Sequence, residues 1–183
     1  ISREGELDIK TVEKPRKIAV VGGGPAGMEA ARVAKLRGHE VTIFEERELG
    51  GLLHEASVPE FKADIRPLTK YLITQVEKLG IPVEHKHADA AALAGYDAVI
   101  CATGSRPVLP KVPGIEKSSV VTALDVLDGC RKAEGKIVVI GGGLVGTETA
   151  LDLAEQGSDV TLVEMLPQIM NDVATTDRSV YGE

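Results

Sequence analysis

Residues 17–45, KIAVVGGGPAGMEAARVAKLRGHEVTIFE, decide the fold. Lys17-Ile18-Ala19-Val20-Val21 is a short apolar run of the kind found in parallel strands buried on both faces. Gly22-Gly23-Gly24-Pro25-Ala26-Gly27 follows with no spacer. Residues 26–37 then suit a helix with small residues on its inner face, and Gly38 stands where a helix end favours glycine. Residues 41–45, VTIFE, read as the next strand. Strand, glycine turn, helix and strand make a βαβ unit and predict a parallel sheet.

The unit recurs. Residues 136–164, KIVVIGGGLVGTETALDLAEQGSDVTLVE, lie over 17–45 at an offset of 119 without gaps, and 13 of the 29 positions are identical. Gly141-Gly142-Gly143-Leu144-Val145-Gly146 repeats the turn, Gly157 repeats the cap, and each copy places a glutamate (Glu45, Glu164) 23 positions after its first glycine. Such a period is far longer than that of a solenoid and reads as duplication of a functional unit.

The residue types have a chemical reason. In G-x-G-x-x-G the first glycine (Gly22, Gly141) allows the tight turn. The second (Gly24, Gly143) lets backbone approach a pyrophosphate, and the third (Gly27, Gly146) lets helix and strand pack closely. Pro25, Ala26, Leu144 and Val145 open the helices, whose N-termini present N–H groups to an anion. Glu45 and Glu164 are placed to accept hydrogen bonds from ribose hydroxyls and to repel a 2′-phosphate. One such turn alone is weak evidence, since methyltransferases, kinases and plain turns share it. Two copies, each with its distal glutamate, point to two dinucleotides, and a flavin with a nicotinamide is the pair that exchanges hydride. No G-x-x-x-x-G-K-[ST] occurs, so a P-loop nucleotidase is excluded.

Outward from the two units, residues 1–16 show no sustained periodicity and read as a linker from an upstream domain. Residues 60–79 predict a helix, with Ile65, Leu68, Leu72, Val76 and Leu79 on its inner face and Gly80 closing it. Residues 81–84 and 97–101 predict strands, the second running into Ala102-Thr103-Gly104. The segment RPVLPKVPG marks a crossover, and 122–129 a short helix. The expected organisation is a dinucleotide-binding domain over 17–112 and the first part of another over 113–183. The class is α/β with a Rossmann-like fold, parallel sheets and helices on both faces.

Net charge is -7 and aromatic residues make up 3% with no Trp, which disfavours nucleic acid and anionic membranes as partners. No stretch approaches the ~20 apolar residues of a membrane span, and the N-terminus lacks a signal-peptide core. A cytoplasmic protein is expected, with self-association into a homo-oligomer left open. The two cysteines are too few for a disulfide framework or zinc site. Cys101, within an apolar strand, reads as a small hydrophobe, and Cys130 as inert. No C-x-x-C or C-x-x-x-x-C motif is present for dithiol chemistry. His54 reads as a solvent-facing loop residue or one facing a cofactor. His85 and His87 share a face without a third ligand, so no metal is expected. No catalytic side chain is expected either, because hydride transfer depends on alignment of the two rings.

These residues resemble the two-dinucleotide-binding-domain flavoproteins. The resemblance implies that the unit ending at Glu45 holds FAD and the unit ending at Glu164 holds NADH. Gly50-Gly51, with Leu52, is similar to the pair beside the flavin pyrophosphate and ribityl chain, and Ala102-Thr103-Gly104 to the ATG motif where the chain leaves the FAD domain. Thr103 is read equally as a flavin contact or a structural turn. His87 and Ala88 fall where the adenine meets backbone; Glu46 and Arg47 fall beside the adenosine, or form a surface turn. More narrowly, residues 5–172 resemble the C-terminal part of old-yellow-enzyme-like 2-enoate and 2,4-dienoyl-CoA reductases. In that family an upstream barrel carries FMN and four cysteines hold a [4Fe–4S] cluster, neither of which lies in this chain. Electrons there run from NADH to FAD, cluster, FMN and a C=C bond. A relative, trimethylamine dehydrogenase, holds ADP in place of FAD. The stretch GGLLHEASVPEFK is also loosely similar to the electron-supplying part of glutamate-synthase-type reductases. The family's NAD domain continues further and returns a Gly-Asp motif to the FAD domain, so a truncated second domain is expected here. Residues 173–183 match no motif.

Overall fold

The computed structural model describes Gly5 and residues 8–171. The chain divides into two compact units. One comprises the residues up to His54 together with Asp64–Arg106; the other comprises Glu55–Ala63 together with the residues from Pro107 onward. The later division thus falls at Arg106, inside the Pro-rich crossover, and Glu55–Ala63, within the expected first domain, belongs to the later unit.

In the first unit β1 (Lys17–Val21), α1 (Pro25–Leu36) and β2 (Glu40–Phe44) build the expected βαβ. The chain continues through α2 (Leu53–Ala56), α3 (Ile65–Lys78), β3 (Val83–Glu84), α4 (Ala90–Leu93) and β4 (Ala98–Cys101). The sheet order is β3-β2-β1-β4, all parallel. β1 is therefore central, with Ala19 and Val20 fully buried. Ile18, Val20, Val41 and Ile43 face Met28, Ala31 and Ala34 of α1 and Leu72 and Val76 of α3 in one core. These two long helices share one face. On the opposite face Phe44, 3% exposed, is met edge-on by Tyr96 of the loop before β4 at a centroid distance of 5.7 Å.

The second unit contains α5 (Ala123–Leu127), β5 (Lys136–Ile140), α6 (Leu144–Glu155) and β6 (Asp159–Val163), with β5 and β6 parallel. α5 begins at a capping box: the Thr122 hydroxyl accepts from the Asp125 N–H, and the Asp125 carboxylate accepts from the Thr122 N–H. α1 and α6 end alike. Gly38 (φ 94°) and Gly157 (φ 93°) each take the left-handed position, and the next residues, His39 and Ser158, donate back to Ala34 and Leu153.

Three expectations need correction. The helix expected over 60–79 starts at Ile65, and Glu60–Lys62 form a separate 3-10 turn. Pro67 explains this: it offers no N–H to the Ala63 carbonyl and its ring would crowd that carbonyl. The buried stripe of α3 runs through Thr69, Leu72 and Val76, and Leu68 is 48% exposed. Cys101 is exposed, because its side of β4 has no covering layer among the described residues. The same is true of one side of β5 and β6. Val138 and Ile140 are each 62% exposed, although KIVVI repeats the apolar run of 17–21. Residues 1–4, 6–7 and 172–183, including most of the expected linker's start and the unread C-terminal stretch, lie outside the described residues.

Candidate dinucleotide-binding site

Each glycine turn is closed by its distal glutamate. The Gly23 N–H donates to Glu45 Oε2 at 2.6 Å and the Arg47 N–H to Glu45 Oε1 at 2.8 Å. In the second unit the Gly142 N–H donates to Glu164 Oε2 at 2.6 Å and the Leu166 N–H to Glu164 Oε1 at 2.7 Å. Both carboxylates are thus held by backbone at the end of their strands, and each oxygen keeps lone-pair capacity for a further donor such as a ribose hydroxyl. The backbone bonds from Leu166 and Gly142 hold the Glu164 carboxyl below the usual carboxylate range.

The three motif glycines do different work. A methyl group at Gly27 would run into the Gly22 carbonyl oxygen, and one at Gly146 into the Gly141 carbonyl oxygen. The third glycine therefore packs on the first, within the turn itself. Gly22, at φ 108°, packs on the Ala102 carbonyl, which brings the Ala102-Thr103-Gly104 segment beside the first turn. Gly24 is different. It has an ordinary φ of -72°, and a methyl group there would meet only the Gly51 Cα, at 3.9 Å. Nothing in the protein's own packing asks for glycine at position 24. The free space is what a pyrophosphate needs if it is to reach the turn. A dinucleotide pyrophosphate fits this cradle on that ground, with Gly24, Pro25 and Ala26 at the opening of α1. Pro25 is the first helical residue and, like Ala26, is exposed. In the second unit Gly143 has φ -71° and Val145 at the start of α6 is 55% exposed.

The fold brings the remaining candidates of the first unit together. The Gly50 N–H donates to the Gly23 carbonyl at 2.9 Å, and a methyl group at Gly51 would stand 2.8 Å from the Gly24 Cα. The diglycine thus lies directly on the glycine turn, followed by half-buried Leu52. His54 folds back so that Nε2 is 2.9 Å from the Leu49 carbonyl, with its ring against Gly50. It is exposed but braces this turn. His87 Nδ1 is 2.6 Å from Glu46 Oε1, and His85 Nδ1 is 3.2 Å from the Arg47 carbonyl. These contacts zip the loop after β3, with His87 and half-buried Ala88, to the Glu46-Arg47 turn. Arg47, Glu48 and His54 border an open pocket there. Thr103 and Gly104 are exposed beside the turn. Among the described residues no cluster of His, Cys, Asp or Glu could hold a metal.

The model of the pyridine nucleotide-disulphide oxidoreductases matches residues 16–181. The chain belongs to that family. As a member of this family it carries the FAD/NAD(P)-binding fold. It is 42% identical to a bilirubin reductase of Mediterraneibacter gnavus, covering 98% of this chain and 29% of the relative. It is 44% identical to a cinnamate reductase of Clostridium sporogenes, covering 92% of this chain and 26% of the relative. A solved 2-naphthoyl-CoA reductase, in complex with 2-naphthoyl-CoA, superposes with a TM-score of 0.92 at 34% identity, covering all of this chain and 29% of that one. The chain therefore spans less than a third of the length of these relatives. Among its described residues no helix is long and apolar enough to cross a membrane.

Sequence reasoning missed Gly23 and Gly142, the middle glycines. A methyl group at Gly23 would lie 2.6 Å from Leu49 Cδ2, and one at Gly142 would lie 2.9 Å from Ile169 Cγ2. Their identity in both repeat copies was the available signal. Leu49 and Ile169 sit at the same place in the two units but one residue out of the repeat's register, so the gapless comparison hid them.

Proposed function

We propose that this oxidoreductase chain is the FAD- and NADH-binding portion of a larger reductase, taking hydride from NADH for delivery to an upstream FMN and iron–sulfur domain. The single observation that carries the cofactor reading is Gly24, a glycine of ordinary φ that the protein's own packing does not require and that leaves room at the opening of α1. When bound, the two cofactors supply hydride transfer from the nicotinamide C4 to the flavin N5. The protein's part is binding and orientation. The first unit is assigned to FAD and the second to NADH. Gly24, Pro25, Ala26 and the Gly50-Gly51 backbone hold the first pyrophosphate, and Glu45 its ribose. Gly143, Leu144 and Val145 hold the second, and Glu164 favours NADH by placing a negative charge where NADPH carries a phosphate.

The final acceptor is proposed to be an enoate or enoyl-type C=C bond. Support comes from one relative named for reduction of cinnamate, itself a 2-enoate, and from another named as a multifunctional alkene reductase/demethylase, 34% identical over 88% of this chain. The test is the visible spectrum of the purified protein, with released cofactor identified by chromatography. Flavin bands with FAD in the supernatant are expected. A colourless protein releasing ADP would replace the redox reading with that of a structural nucleotide module.

A further inference from the structure

The second glycine turn is pinned in a way the first is not. The Gly142 carbonyl accepts the Met170 N–H at 2.6 Å and the Thr147 hydroxyl at 3.2 Å. In the first unit the Gly23 carbonyl accepts the Gly50 N–H, and the residue equivalent to Thr147 is Met28, which has no donor in its side chain. Thr147 is 7% exposed and Met170 1% exposed, so both donors act away from water. Met170 also stands at φ 54°, the one positive φ of a non-glycine residue among those described. A side chain adopts that conformation only where its surroundings impose it. Glycine serves at the corresponding turn of the first unit.

The peptide that joins Gly142 to Gly143 is planar, with its C=O and N–H pointing in opposite directions. Two donors on the carbonyl therefore fix the direction of the Gly143 N–H, at the residue that opens α6. We infer that Thr147 is a positioning residue of the nicotinamide-dinucleotide site, acting through the Gly142 carbonyl to hold the Gly143 peptide in the orientation that receives the pyrophosphate. This rests on the reading that the second turn binds NADH. Thr147 touches no ligand itself. Its hydroxyl does in the second unit what backbone packing alone does in the first.

The test uses the full chain with Thr147→Val, Thr147→Ala and Thr147→Ser, and NADH as the probe. Valine keeps the shape and removes the donor; serine keeps the donor; alanine removes the donor without the bulk, should valine fail to fold. Calorimetric NADH affinity should fall about three- to tenfold in T147V and T147A, the scale of one neutral hydrogen bond. T147S should stay within about twofold of wild type, and FAD content should not change in any variant. NADH affinity unaltered in T147V, or lost equally in T147S, would overturn the inference. A second readout needs no NADH: amide hydrogen exchange at Met170 should quicken several-fold in T147V and not in T147S. If the wild-type protein binds no NADH, the functional reading falls, and the exchange result alone decides whether Thr147 pins the turn.

Discussion

Gly27 packs so closely on Gly22 that a methyl group at position 27 would overlap the Gly22 carbonyl oxygen, whereas three residues earlier Gly24 has open space. Two substitutions of identical chemistry should therefore separate folding from binding. Gly27→Ala forces α1 away from β1 and should cost about 1–3 kcal/mol as an overpacked site. Gly24→Ala, at an ordinary φ, should leave the melting temperature unchanged or slightly raised, since it reduces the freedom of the unfolded chain. It should nonetheless lower FAD retention by tenfold or more. Thermal melts together with flavin content check both halves.

Glu164 accepts two backbone hydrogen bonds and carries the charge that the proposed function assigns to the second ribose. Glu164→Gln keeps the size and removes the charge. NADPH should then gain on NADH, the ratio of their kcat/KM values moving about tenfold or more toward NADPH. An unchanged ratio would mean that Glu164 serves the turn and not cofactor choice.

The same carboxylate predicts a pH dependence. Its pKa in the fold is depressed, so its contribution to stability is present above the ordinary glutamate pKa and lost as pH falls through the lower folded value. Wild type should melt higher than E164Q at neutral pH, and the gap should close below the normal carboxylate range. Melting curves of both proteins from neutral pH down to about pH 3 measure it.

Lys62 Nζ lies 2.6 Å from Glu148 Oε2, and Glu148 is 8% exposed. This pair ties the Glu60–Lys62 turn to α6 inside the second unit. Lys62→Met removes one cation from a nearly buried carboxylate and should destabilise by up to about 3 kcal/mol. Lys62→Met with Glu148→Leu should recover much of that loss, because the buried charge goes with it. Chemical denaturation of wild type, single and double variants decides the matter.

Much of the fold was legible because local and global signals agree. The run at 17–21 is a strand because Ala19 and Val20 are buried between neighbours on both sides, and Gly38 and Gly157 end their helices where the sequence places them. What was not legible depends on tertiary placement. KIVVI at 136–140 has the same pattern as 17–21 but is half-exposed, since among the described residues β6 is its only neighbouring strand. Pro67 was the overlooked cue for where α3 begins. The motif exposed Gly22, Gly24 and Gly27 and their copies by spacing alone. The middle glycines act through contacts with residues 49–50 and 169–170, more than twenty positions away from the turns they support, and Thr147 acts through the Gly142 carbonyl that the Met170 N–H also reaches.

The central claim, that FAD on the first turn takes hydride from NADH on the second, is tested most directly by mixing the purified flavin-loaded protein with NADH without oxygen and following the flavin's visible band. The account predicts rapid bleaching with one NADH consumed per FAD, slowed strongly in Gly146→Ala, which disturbs the second turn while leaving FAD in place. A flavin-loaded protein that keeps its band in excess NADH would contradict it.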